Sequence, residues 1–234
     1  MNITVFYAST RGARSCTRGI ARMLTDALLE GGTLHEFTLP RDLPHFCTGC
    51  RACMEDREQQ CGGYAALSPI LDAMAQSELL VFCAPTYAYQ VPAQLKALLD
   101  HLAYRWMVHR PDPAFFRKQA VVITTAAGGG MRPTIRTVRD SAEYWGVART
   151  CCITQAVWDY DWRTLPESFR RKIRAKVRKT AAKVKRRAAH LTPSLRVRLW
   201  FYLYRFLHLH RKMAAADDAF WLQNDRLAGA PWRD

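Results

Sequence analysis

The sequence predicts an α/β protein built on a doubly wound, five-stranded parallel sheet in the order 2-1-3-4-5. Three observations carry this. Short, nearly continuous apolar runs alternate with stretches whose apolar residues recur at helical spacing. The runs are rich in β-branched and aromatic residues, as strands covered on both faces require. The loops richest in hydroxyl, aromatic and glycine residues follow the first, third and fourth runs, where a sheet of this order gathers its ligands near the topological switch.

Taken in order, Ile3-Thr4-Val5-Phe6-Tyr7-Ala8 is the first strand, and Ile20, Met23, Leu24, Ala27 and Leu28 mark the helix after it. Gly31-Gly32 ends that helix, and Thr33 to Leu39 gives a second strand. Leu67, Ile70, Leu71 and Met74 share one helical face. Leu79 to Ala84 is the third and most apolar strand. Pro92 suits the first turn of the next helix, striped by Leu95, Leu98, Leu99 and Leu102. Ala120 to Thr125 is the fourth strand, and a helix from about Pro133 to Trp145 leads to the fifth, Cys151 to Trp158. Pro166 to His190 closes the domain as a helix. The chain of 234 residues fits one domain, 1–190, with a helical C-terminal extension, 191–234.

The net charge of +15 is unevenly placed. Between Arg163 and Lys212 stand 17 Lys and Arg against one acid, Glu167, so the rest of the chain is close to neutral. Phe169, Ile173, Val177, Ala181 and Val184 keep a core stripe beneath that charge, which makes this an ordinary fold helix with a basic outer face. No uncharged apolar run is long enough to span a bilayer. The chain starts directly on a strand, so no signal peptide is expected and a cytoplasmic setting is.

The loop Ser9 to Thr17 offers hydroxyls, arginines and a helix N-terminus, which together suit a phosphate. The loop Pro85-Thr86-Tyr87-Ala88-Tyr89 offers aromatic and small side chains. Ala127, Gly128 and Gly129 offer close backbone approach. A flat ring, apolar on its faces and polar along one edge, fits between two such loops.

Ser9-x-Arg11 followed by Ser15-Cys16, then Ala84-Pro85-Thr86-Tyr87 leading to Pro92-x-x-x-Lys96-x-x-x-Asp100, then the glycine run, resemble the flavodoxin-like NAD(P)H-dependent FMN reductase and quinone reductase family over roughly residues 1 to 160. The resemblance implies that Ser9, Arg11, Ser15, Cys16 and Thr17 take the FMN phosphate. Pro85, Thr86, Tyr87, Ala88 and Tyr89 would meet the isoalloxazine ring from one side, and Ala127, Gly128 and Gly129 from the other. The family often carries Asn-Thr where this chain has Ser15-Cys16, and backbone N–H groups can stand in for the missing hydroxyl.

Cys47-x2-Cys50-x2-Cys53-x7-Cys61 follows the second strand. Three tightly spaced cysteines and a fourth are closer to iron–sulfur ligation than to the paired cysteines of zinc sites, though the Pro that often follows the last ligand is absent. The spacing resembles that of iron–sulfur flavoproteins, which would make these four residues ligands of a 4Fe-4S cluster. Reduced or redox-active thiols and zinc remain open beside it.

The implied function is an FMN-dependent oxidoreductase passing reducing equivalents from NAD(P)H to a quinone, flavin or other small acceptor. Hydride transfer needs no side-chain acid or base, so no catalytic residue is named. The alternative is an iron–sulfur flavoprotein acting in electron transfer between proteins. A binding module reaching nucleic acid or membrane through the basic helix is the outlying reading. Leu195 to Leu209 is apolar on nearly every face and must be covered. A second subunit is expected there, since flavodoxin-like reductases commonly dimerise; the flavin side of its own domain and peripheral membrane contact are the other solutions. His101, His109, His208 and His210 show no ligand or triad spacing and read as packing or solvated residues.

Overall fold

In the computed structural model, which describes residues 1–158 and 161–233, one parallel sheet runs in the order β2-β1-β3-β4-β5. Its strands are β1 (Ile3–Tyr7), β2 (Leu34–Thr38), β3 (Leu79–Cys83), β4 (Gln119–Ala126) and β5 (Arg149–Ala156). β1, β3 and β4 are buried along their whole length, which is why they read as unbroken apolar runs. β2 and β5 are the edges and keep half-exposed positions.

Alternation along the strands divides the core in two. Ile3, Val5, Tyr7, Leu79, Val81, Cys83, Val121 and Ile123 face α1 (Cys16–Asp26) and α5 (Glu167–Ala188). Phe6, Ala8, Leu80, Phe82, Ala84, Ala120 and Val122 face α2 (Tyr64–Gln76), α3 (Ala93–His101) and α4 (Met131–Tyr144). On α5, Ile173, Val177, Ala181 and Val184 are buried beneath the exposed lysines and arginines. The basic charge therefore lies on the solvent side of a core helix.

The C-terminal residues form α6 (Leu195–His210), α7 (Ala215–Gln223) and α8 (Asp225–Ala228). Ser194 caps α6 by accepting from the Val197 N–H at 3.3 Å. Here the expectation of an outside partner is corrected in part. One face of α6 is covered by its own chain: Val197 and Phe201 join Met107, Phe116, Trp221 and Leu227 in a third cluster. Arg196 ties α6 to α4 through Asp140 (3.3 Å) and Glu143 (3.1 Å). The opposite face, with Leu195, Leu199, Tyr202, Leu203 and Phe206, stays exposed.

Polar side chains stitch this extension down. His208 bonds Asp218 through Nδ1 (2.7 Å) and the Val108 carbonyl through Nε2 (3.2 Å). His109 Nδ1 lies 2.8 Å from Asp217, and the Trp221 indole donates to the His109 carbonyl at 2.7 Å. These histidines are packing residues with satisfied rings, as their spacing implies.

Candidate functional site

The carboxyl ends of β1, β3 and β4 are adjacent in the sheet, and the loops they feed are bonded to one another. The Ala8 N–H donates to Cys83 O (3.0 Å), Ala84 N–H to Ile123 O (2.9 Å) and Thr86 N–H to Thr125 O (2.9 Å). The Thr86 hydroxyl sits 3.0 Å from both the Thr124 and the Thr134 hydroxyls, joining the β3 tip to β4 and to the first turn of α4. Gln94 on α3 donates to the Ala8 carbonyl at 2.9 Å. The three expected loops therefore form one surface.

In the first loop, the buried Ser9 accepts from the Arg11 N–H at 3.3 Å. A short 3-10 turn at Gly12–Arg14 follows, entered with Gly12 at φ 56°, a left-handed conformation that glycine adopts without strain. Ser15 then caps α1, its Oγ accepting from the Arg18 N–H (3.4 Å) and lying 2.9 Å from Thr17 Oγ1. Cys16 and Thr17 are buried in the first turn, where the helix dipole is most positive. Burial raises the Cys16 thiol pKa, and the Arg11 guanidinium opposes the rise, which places the Arg11 charge at the same helix end. Ser9, Arg11, Ser15, Cys16 and Thr17 thus occupy one loop and one helical turn. Just beneath them, Arg18 lies 4.0 Å over the Tyr7 ring, and the Tyr7 hydroxyl donates to Glu36 at 2.6 Å. Burial above all keeps that phenol protonated.

In the second loop, Pro85 is buried and Thr86 half-buried. Tyr87 and Gln90 exchange backbone hydrogen bonds at 3.0 and 2.8 Å, closing a two-residue turn whose central residues are Ala88 (φ 46°) and Tyr89 (φ 61°). Such turns are ordinarily made by Asn-Gly. Two side-chain-bearing residues held left-handed cost on the order of 1–3 kcal/mol each, and strain of this kind collects at functional sites. What the turn achieves is visible in Tyr89. Its side chain is 71% exposed, and its ring lies against Gly130, where an added Cβ would fall 2.6 Å from Cδ1. Replacing Ala88-Tyr89 by Asn-Gly is expected to raise stability by about 1–2 kcal/mol in urea unfolding while weakening flavin binding.

In the third loop, Ala127, Gly128 and Gly129 are exposed, and α4 opens directly after Gly130. A Cβ built on Gly129 meets nothing within 4 Å, and one on Gly128 meets only Trp158, at 3.8 Å. This floor is open to a flat guest.

Two site residues escaped the sequence reading. Trp158, 63% exposed with φ 48°, stands beyond β5 and donates its N–H to Ala127 O at 3.1 Å. An exposed aromatic ending the strand beside a glycine run was the available signal. Trp162 donates its N–H to Arg14 O (2.9 Å) and covers Gly19, where a Cβ would lie 2.0 Å from the indole. Gly19→Ala is expected to cost about 1–3 kcal/mol by thermal unfolding, through overpacking against that ring.

The cysteine loop lies between β2 and α2, folded into 3-10 turns at Ala52–Glu55 and Glu58–Gln60. Cys47, Cys50, Cys53 and Cys61 are free thiols. Burial raises the Cys53 thiol first, and Cys61, Cys47 and Cys50 each add to the rise, so the four share one neighbourhood. Cys61 Sγ is 3.9 Å from His101 Nδ1, and the buried Arg110 donates to the Cys53 carbonyl and pairs with Asp56 at 2.7 Å. Among the described residues no three His, Cys, Asp or Glu side chains converge in a metal-holding set.

Hydroxyls and a helix N-terminus at one end, with an open glycine floor flanked by Tyr87, Tyr89 and Trp158 at the other, are what a phosphorylated isoalloxazine requires. The fold and this cradle define a flavodoxin-like, flavin-dependent oxidoreductase. The family model described as NADPH-dependent FMN reductase matches residues 1–158, and the chain belongs to that family. It is 29% identical over 143 residues to an FMN-dependent NADH:quinone oxidoreductase of Bordetella bronchiseptica, covering 55% of this chain and 68% of the relative. It is 25% identical over 142 residues to an iron-sulfur flavoprotein of Methanosarcina thermophila, covering 60% and 72%. Among solved structures, an FMN-dependent NADH-azoreductase of Bacillus anthracis in complex with FMN superimposes with a TM-score of 0.60 at 13% identity, over 78% of this chain and 99% of that one. An NAD(P)H:quinone oxidoreductase of Methanothermobacter marburgensis gives 0.57 at 16%, over 78% and 95%.

Proposed function

We propose that this protein binds FMN across the tips of β1, β3 and β4 and uses NAD(P)H to reduce a quinone, a flavin or another small acceptor. The observation that carries the reading is the bonded convergence of the three loops around an open glycine floor. Bound FMN supplies the two-electron chemistry: it accepts hydride from a nicotinamide and hands electrons to the acceptor. The protein's part is binding and alignment. Ser9, Ser15 and Thr17 offer hydroxyls to the phosphate, the first turn of α1 offers backbone N–H groups, and Arg11 offers charge. The backbone at Pro85–Tyr89 and at Ala127–Gly129 borders the ring, while Tyr87, Tyr89 and Trp158 limit water at its exposed face.

The test is direct. Protein purified away from air is expected to carry flavin absorbance in about equimolar amount and to oxidise NADH or NADPH only when a quinone or free flavin is supplied. Protein that neither retains FMN nor binds it when added would overturn the reading. In the same preparation Cys47, Cys50, Cys53 and Cys61 are expected to titrate as thiols, since among the described residues they do not converge on a single metal ion. Iron and acid-labile sulfide in proportion to flavin would establish the cluster reading instead, the one the Methanosarcina relative's name favours. The homodimer implied by the resemblance belongs to this proposal, and light scattering reads it. Among the described residues no helix is long and apolar enough to cross a membrane.

A further inference from the structure

The outer face of α6 is unexplained by the flavin site. Leu195, Leu199, Tyr202, Phe206 and Leu209 recur at steps of four and three, which keeps them within an arc of about 80° on the helix. All are exposed, Leu199 at 69% and Phe206 at 51%, and they lie opposite the face that buries Val197, Phe201 and His208. Met213, beyond the helix end, is exposed as well. Exposed apolar patches of this kind mark a surface that something covers.

Charge selects the occupant. α6 contains no acidic residue, and Arg196, Arg198 and Arg205 flank the stripe on its two sides, Arg196 paired with Asp140 and Glu143 and Arg205 donating to the Leu227 and Ala228 carbonyls. Arg211 and Lys212 stand exposed at its end. Helix α5, which packs with α1 on the other side of the sheet, carries exposed cations of its own, among them Arg171, Lys172, Arg178 and Lys179. A second copy of this face would bring more cation than free carboxylate to the seam, Asp140 and Glu143 being already engaged by Arg196. An anionic lipid surface answers both features, since acyl chains take the apolar stripe and headgroups take Arg198 at its margin and the exposed Arg211 and Lys212 at its end. The placement agrees. The family match stops at residue 158, and more than a fifth of this chain lies outside the superposition with the azoreductase, which is itself covered at 99%.

We propose that α6 docks this protein on anionic membrane surfaces, lying in the interface with Leu199 and Phe206 among the acyl chains. The inference is independent of what the flavin site reduces.

The experiment is co-flotation of the full-length protein with vesicles of phosphatidylcholine alone or of equal parts phosphatidylcholine and phosphatidylglycerol, with light scattering in parallel. The expected result is at least about tenfold stronger partitioning onto the anionic vesicles, weakened by added salt and lost in the double variant Leu199→Glu with Phe206→Glu. Both positions are exposed, so the variant is expected to keep its melting temperature, and retained flavin absorbance checks the fold. Absence of flotation overturns the proposal. So does a dimer that this variant dissolves into monomers without any vesicle binding, for the face is then a seam between copies. Vesicle binding that survives the variant but disappears in Arg171→Glu with Arg178→Glu overturns it as well, because the contact then belongs to α5 alone.

Discussion

Phe201→Ala is expected to destabilise the protein by about 3–5 kcal/mol, the range for emptying a large aromatic site in a core. Phe201 is fully buried, and its ring lies 5.1 Å from Trp232, 5.2 Å from Phe116 and 5.7 Å from Trp221. These three neighbours come from separate parts of the chain, so no single side chain can shift to fill the gap without dragging another. Phe116 belongs to the segment that leads into β4, at the end of the sheet away from the candidate site. The loss should therefore appear in urea unfolding followed by tryptophan fluorescence, with FMN affinity of the folded protein changed by less than about threefold. Leu199→Ala, two residues away on the same helix but on its outward face, is expected to change stability by no more than about 0.5 kcal/mol. Equal effects at the two positions would mean that α6 does not sit on its own domain as described. Deleting everything after His190 strips the same cluster from Met107 and Phe116, and an insoluble product is expected.

This contrast also shows what the sequence could and could not disclose. Strand order was legible because each strand's burial is written in its composition, and α5 was legible because Ile173, Val177, Ala181 and Val184 keep their spacing through dense charge. α6 was not, because which half of an all-apolar helix is covered depends on Met107 and Phe116, far away in sequence. Its helical period is readable, but its phase against the domain is not. The turn at Ala88-Tyr89 was hidden for a different reason. Neither residue favours a left-handed backbone, and the conformation is imposed from outside by Thr86 bonded to β4 and by the ring of Tyr89 against Gly130. The cysteine loop lies between these cases. Its spacing announces a thiol cluster, yet spacing does not determine whether four sulfurs enclose a volume or merely share a neighbourhood. Three left-handed residues, Gly49, Arg51 and Asp56, and the anchoring of Cys53 and Asp56 by Arg110 shape the loop instead.

Arg11→Glu is expected to weaken FMN binding about 100-fold while leaving riboflavin affinity within about threefold. Hydrogen bonds to a charged partner contribute about 1.5–3 kcal/mol, and reversing the charge beside a dianion adds repulsion to the loss. Riboflavin has the ring without the phosphate, so the pair of ligands separates the two ends of the cradle. Arg11 is exposed, so the substitution is expected to leave the fold intact, while its guanidinium acts on Cys16 at the opening turn of α1. Quenching of flavin fluorescence gives both constants, and the FMN constant should rise with ionic strength in the wild type and respond less in the variant. Equal losses for FMN and riboflavin would place Arg11 beside the ring and not the phosphate. No loss for either would remove the phosphate from the Ser9–Thr17 loop, and with it the assignment of the helix α1 N-terminus as the anion's seat.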